Sequence, residues 1–167
     1  MPNIYFKESQ KVNLGWKWIL FLGLYALMIW ALLEQFSEQK YDVTGVVSIV
    51  FSICVFAFFN ILILCMKLEV EINNESINFR FKPFYLNPRI IEIKDIDKIY
   101  IREFKPYFEY GGHGIQRKFK YGRSYTVSGK IGLQLVLKND KKILIGSQKP
   151  KELAAIIDKI KTTYKII

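Results

Sequence analysis

The sequence predicts an α+β chain: a two-helix transmembrane hairpin, then an antiparallel split β-barrel of about seven strands capped by a C-terminal helix. Three observations carry this. Two runs, Trp18 to Leu33 and Val43 to Met66, hold no charged residue. After Met66, apolar residues recur at every second position, the period of a half-buried strand. Near the C-terminus Leu153, Ile156, Ile157, Ile160 and Tyr164 recur at helical spacing instead. The expected boundary lies at Met66, with residues 1–66 forming a tail and hairpin and 67–167 a separable domain.

A bilayer core about 30 Å thick needs roughly 20 apolar residues at about 1.5 Å each. The second run has 24 residues and suffices alone. The first has 16 and reaches 20 when Leu14 to Lys17 are joined to it, with Lys17 snorkelling to the headgroups. The expected spans are therefore 14–33 and 43–66. Trp16, Trp18, Trp30, Phe36 and Tyr41 form an interfacial aromatic belt. A core helix would keep a polar stripe, and a cleaved signal peptide would end in a small-residue site; neither is present.

The connection Glu34 to Asp42 carries one Lys, between flanks rich in Lys and Arg. Positive charge stays inside, which places both termini in the cytoplasm and the connection outside. Gly45, Ser48, Ser52 and Asn60 are expected to pack on, or hydrogen-bond to, the first helix. No ionisable group lies inside either run, which argues against a channel or pump. Cys54 and Cys65 share one helix about 16 Å apart, too far for a disulfide, and read as packing residues.

Beyond Met66 the strands follow in order. Leu68–Ile72 and Ile77–Phe81 flank the turn Asn73–Ser76, and Arg89–Lys94 follows a turn bracketed by Pro83 and Pro88. Ile99–Phe104, Ser124–Val127, Ile131–Leu137 and Lys142–Gly146 complete the set, with turns at Ser128–Lys130 and Asn139–Asp140. Pro150 opens the last helix, where it needs no amide partner. This part holds 21 of the 25 Lys and Arg and 11 of the 15 acids, hence the whole net charge of +10. Such a division excludes a plain soluble globule, a disordered chain and a disulfide scaffold.

Several segments carry a resemblance. They are Phe6-x-Glu8-x-Gln10, Lys67-Leu68-Glu69, Tyr110 to Ile115, Tyr125 to Gly129, Gly132 to Leu137, and Leu144 to Pro150. In these the chain resembles a family of uncharacterised bacterial membrane proteins that join a two-span hairpin to a pleckstrin-homology-like (PH-like) domain. His113 stands where the family pattern would have Trp. The resemblance implies a PH-like fold and a place in the inner (cytoplasmic) membrane. It implies no particular activity.

His113 is the only histidine, so no multi-histidine metal site can form. It reads as a loop residue rather than a catalytic base, since no nucleophile motif accompanies it. Gly111, Gly112 and Gly114 depart from the nucleotide-binding pattern because position 117 is Arg. They read as positions of positive φ or close strand approach, and with His113 as a candidate functional loop. No cofactor is expected.

The clearest surface signal is electrostatic. From Tyr110 to Asn139 there is no acid, while Arg117, Lys118, Lys120, Arg123, Lys130 and Lys138 are basic and Phe119, Tyr121 and Tyr125 interleave with them. Arg117, Lys118, Lys120, Arg123 and Lys130 are the candidate contacts for anionic lipid or a partner. Nucleic acid also attracts such mixtures, but a domain starting at the bilayer meets lipid headgroups first. A solvated face that only enforces topology is the remaining reading. The sequence thus points to a non-enzymatic membrane scaffold with an unidentified protein partner. Its alternative is an accessory subunit of a membrane enzyme or transporter, bound through the hairpin.

Overall fold

Strand β1 (Ile4–Lys11) opens the chain with strict alternation, burying Phe6, Glu8 and Gln10 and exposing Tyr5, Lys7 and Ser9. It pairs antiparallel with β2 (Lys67–Asn73), Gln10 opposite Leu68 and Lys11 opposite Lys67. The computed structural model describes residues 4–12, 15, 17–37 and 43–164. Leu14, Trp16, Tyr41 and the connection 38–42, named above for the spans and belt, lie outside these.

The pairing of β1 corrects the boundary drawn at Met66. The chain divides into one unit of Asn13–Leu64 and another of Met1–Val12 with Cys65–Ile167. The expected tail is an edge strand of the second unit. Its period is legible only in hindsight, because two of its three inward residues are polar.

In this β unit the first sheet has the order β1-β2-β3-β4, with β3 (Ser76–Lys82) and β4 (Arg89–Glu92). The Asn73 side chain fixes the β2–β3 turn by accepting the amides of Glu75 at 3.0 Å and Ser76 at 2.7 Å. A short 3₁₀ turn leads into the second sheet. Its strands are β5 (Ile96–Glu103), β6 (Gly114–Lys118), β7 (Gly122–Thr126), β8 (Ile131–Leu137) and β9 (Lys142–Gly146). They lie in the order β5-β8-β9-β7-β6.

Every run read as extended contains a strand, and β1 and β6 add two more. The strands form two sheets rather than a closed barrel, and the second sheet is mixed. β9 turns back against β8 and lies between β8 and β7, antiparallel to the first and parallel to the second. Inward residues of both sheets, among them Leu68, Phe79, Phe81, Ile99 and Leu135, share one core. Helices α1 (Lys17–Ser37) and α2 (Val43–Cys65) belong to the other unit; the closing helix here is α3 (Pro150–Tyr164). It seats Leu153, Ile157 and Ile160 in that core, each contributing about 1.5–3 kcal/mol of apolar burial. Ile156 is half-buried and Tyr164 is exposed.

A polar clasp joins the ends of the chain. Buried Glu8 accepts the Ser147 hydroxyl at 2.8 Å and the Gln148 amide at 2.7 Å, and Gln10 donates to the Gly146 carbonyl at 2.7 Å. The segments Phe6–Gln10 and Leu144–Pro150, far apart in the chain, are therefore hydrogen-bonded to each other.

In the helical unit, α1 covers Lys17–Ser37 and α2 Val43–Cys65. Among the described residues, α2 alone is long and apolar enough to cross a membrane, with mean hydropathy 2.7. The apolar stretch of α1, Trp18–Glu34, is shorter, bounded by Lys17 and closed by Glu34. The rings of Phe21 and Tyr25 meet Phe56 with centroids 6.0 and 4.9 Å apart. Ser48, Ser52 and Asn60, read as groups facing the first helix, each donate to the carbonyl four residues back at 2.8 Å. That acceptor lies within reach on the same turn and needs no second helix. Cys54 and Cys65 are unpaired thiols.

Candidate functional site

The β6–β7 hairpin owes its shape to two glycines and a buried tyrosine. Gly114, at φ +107°, starts β6, and Gly122, at φ +83°, starts β7. A β-carbon on Gly122 would sit 2.1 Å from the Lys142 carbonyl oxygen, so β9 can approach β7 only where no side chain intervenes. Between the strands, the hydroxyl of fully buried Tyr110 donates to the Tyr121 carbonyl at 3.2 Å and anchors the turn.

Tyr110 ends a π-helical turn, Pro106–Tyr110, that Arg102 braces. The Arg102 guanidinium pairs with Glu109 at 2.7 Å and donates to Gln134 at 3.0 Å and to the Tyr110 hydroxyl at 3.2 Å. Burial pushes the Tyr110 hydroxyl above its ordinary pKa, and the nearby Arg102 charge offsets part of the rise.

The hairpin forms one wall of a cavity of about 520 Å³. Arg117, Lys118, Lys120 and Arg123 line it from β6, the turn and β7, together with Arg89 from β4 and Lys141 and Lys142 from the opposite hairpin. Asp140 is its one acidic residue. Among the described residues, none of these seven cations takes part in an ion pair. Strands β2 and β3 behave differently. There Glu69 pairs with Lys67 at 2.6 Å and Lys82 at 3.4 Å, and its hydrogen bond to Lys67 leads the effects holding its carboxyl below the ordinary range.

Arg89 is held in place. Its guanidinium lies 4.1 Å from the centre of the Tyr85 ring and donates to the hydroxyl of buried Tyr125 at 2.9 Å. The contact joins the first sheet to the second. Phe119, at the tip of the turn, is fully exposed at the cavity's lip.

Four of the five basic residues singled out in the sequence, Arg117, Lys118, Lys120 and Arg123, thus converge. Lys130 lies on the β7–β8 turn and is not part of the lining. The sequence missed Arg89, Lys141 and Lys142. The Lys141–Lys142 pair is visible in the sequence but lies beyond Asp140, where the acid-free run ends. No local pattern marks Arg89, which arrives from the other sheet.

The glycine-rich loop is a backbone device in this structure. Gly111 and Gly112 have φ of +84° and +132°, and their amides donate to Tyr107 at 3.1 Å and Pro106 at 2.9 Å, ending the π-helical turn. Half-buried His113 lies with its ring centre 6.3 Å from that of Tyr107. The loop adjoins the cavity through Lys118, whose side chain passes 3.8 Å from where a Gly111 β-carbon would stand. Among the described residues no group of three or more His, Cys, Asp or Glu gathers as metal ligands.

No family model matches the chain, and no curated protein matches it. A concave surface with seven cations and one carboxylate has the chemistry of anion binding.

Proposed function

We propose that the chain is a non-enzymatic integral membrane protein that displays a PH-like binding domain at the cytoplasmic membrane surface. The observation that carries this reading is the pairing of Lys11 with Lys67. These residues flank the helical unit, and two strands cannot pair across a bilayer. The segment between them must therefore cross an even number of times. With α2 read as one span, the pairing favours α1 as the other. At about 1.5 Å per residue, α2 reaches roughly 34 Å, enough for a core of about 30 Å, and α1 reaches roughly 31 Å with Lys17 and the polar residues from Glu34 to Ser37 at the headgroups. Phe51, Phe58, Phe59 and Ile61 of α2 are more than half exposed in the chain, as lipid-facing residues would be. The lysine asymmetry of the flanks supports a cytoplasmic β unit.

A four-stranded sheet, a second sheet and a closing helix support the PH-like description, with the hairpin inserted between the first two strands. The parallel β7–β9 pair is a departure from it. The uncovered apolar surface of α2 also favours a second reading, an accessory subunit whose helices bind another membrane protein.

The test is topology. A reporter active only outside the cytoplasm should work between Ser37 and Glu38 and stay silent after Ile167, in a protein that resists carbonate extraction. Release by carbonate, or the reverse pair of signals, would overturn the reading.

A further inference from the structure

We infer that the cavity between β4, the β6–β7 hairpin and the β8–β9 turn binds an anion carrying several phosphate groups. The inference rests on the reading of the β unit as a binding domain and names its ligand. About 520 Å³ is the size of a small-molecule site. Seven cations against Asp140 leave the lining with six positive charges in excess. A phosphate monoester carries about 1.5–2 negative charges at neutral pH, so roughly three or four phosphates would balance them.

The composition of the lining narrows the chemistry. Arg89, Arg117 and Arg123 offer forked donors suited to tetrahedral oxyanions, and the four lysines supply compact charge. Arg89 is already fixed by its stacking on Tyr85 and its bond to Tyr125, so little freedom is lost on binding. Gathering seven cations around one carboxylate costs repulsion, which a phosphate cluster removes. A nucleic-acid strand would need a groove with successive stacking rings. Here, of the two rings in the lining, Tyr125 is buried at 1 % exposure and Phe119 stands free at the lip.

The phosphates could belong to a lipid headgroup or to a soluble molecule, and one experiment separates these sources. The full chain is placed in phosphatidylcholine nanodiscs and titrated calorimetrically with inorganic tripolyphosphate, with orthophosphate for comparison. Saturable binding to one site is expected, about tenfold or more tighter for tripolyphosphate. Arg117→Gln with Arg123→Gln should weaken it by about tenfold or more. Lys94→Gln with Lys151→Gln, outside the cavity, should leave it unchanged. Absence of saturable binding, or equal losses from both pairs, would overturn the proposal.

Doping the discs with phosphatidylinositol bisphosphate, whose headgroup carries several phosphates, then identifies the source. Competition that depends on Arg117 and Arg123 assigns the cavity to a headgroup, and unchanged tripolyphosphate affinity assigns it to a soluble ligand. Carbonate resistance of the same variants reports on the membrane reading separately, so the two can fail independently.

Discussion

Glu8 accepts a 2.8 Å hydrogen bond from the Ser147 hydroxyl, which ties the first strand to the segment leading into the last helix, 139 residues further on. Both residues are buried, and the same carboxylate takes the Gln148 amide. Glu8→Ala should strand a hydroxyl and an amide without an acceptor, at about 1–3 kcal/mol for each group left buried. Urea denaturation of Glu8→Ala, Ser147→Ala and the double variant measures the coupling. Strictly additive losses would show that the bond carries no net energy.

Strand β1 should belong to the cooperative β unit. A fragment of residues 67–167 is expected to unfold at lower urea than one in which residues 1–12 are joined by a short linker to 65–167. The linker can be short because Lys11 and Lys67 are register partners. Loss of Phe6 from the core alone removes about 1.5–3 kcal/mol. Equal midpoints would place β1 outside that unit.

Gly122→Ala and Gly129→Ala test close approach against conformation. Both glycines have positive φ, +83° and +84°, but only a Gly122 β-carbon meets backbone, at 2.1 Å. Gly129→Ala should cost about 1–2 kcal/mol from conformation alone. Gly122→Ala should cost about 1–3 kcal/mol more by forcing β7 from β9. Thermal or urea unfolding of both variants decides it, and equal losses would contradict the packing argument.

Alkaline pH should weaken the fold through Tyr110. Burial raises its pKa above the ordinary 10.0, so the folded state keeps the proton longer than the unfolded chain does. The contribution is full below about pH 10 and is lost as pH rises through the folded value. Absorbance titration should show one tyrosine ionising late in the parent and absent in Tyr110→Phe. Stability of the parent should also fall more steeply than that of the variant in this range. Identical slopes would remove Tyr110 as the cause.

The sequence by itself determined what depends on neighbours in the chain. Charge-free runs mark both helices of Asn13–Leu64, alternation marks β2, β3 and β8, and the stripe Leu153, Ile157, Ile160 marks α3 and its buried face. The acid-free run contains four of the seven cations that line the cavity. Tertiary structure decided the rest. β1 became a strand because β2 offers it an edge and Gly146–Gln148 offers partners to Glu8 and Gln10, so polar inward residues hid its period. Arg89, Lys141 and Lys142 joined the cavity only when β4 and the β8–β9 turn were brought beside the hairpin. The physical reason is range. Side-chain period and charge act over a turn or two of chain, whereas strand pairing and cavity walls are made by segments whose closeness exists only once the chain has closed on itself.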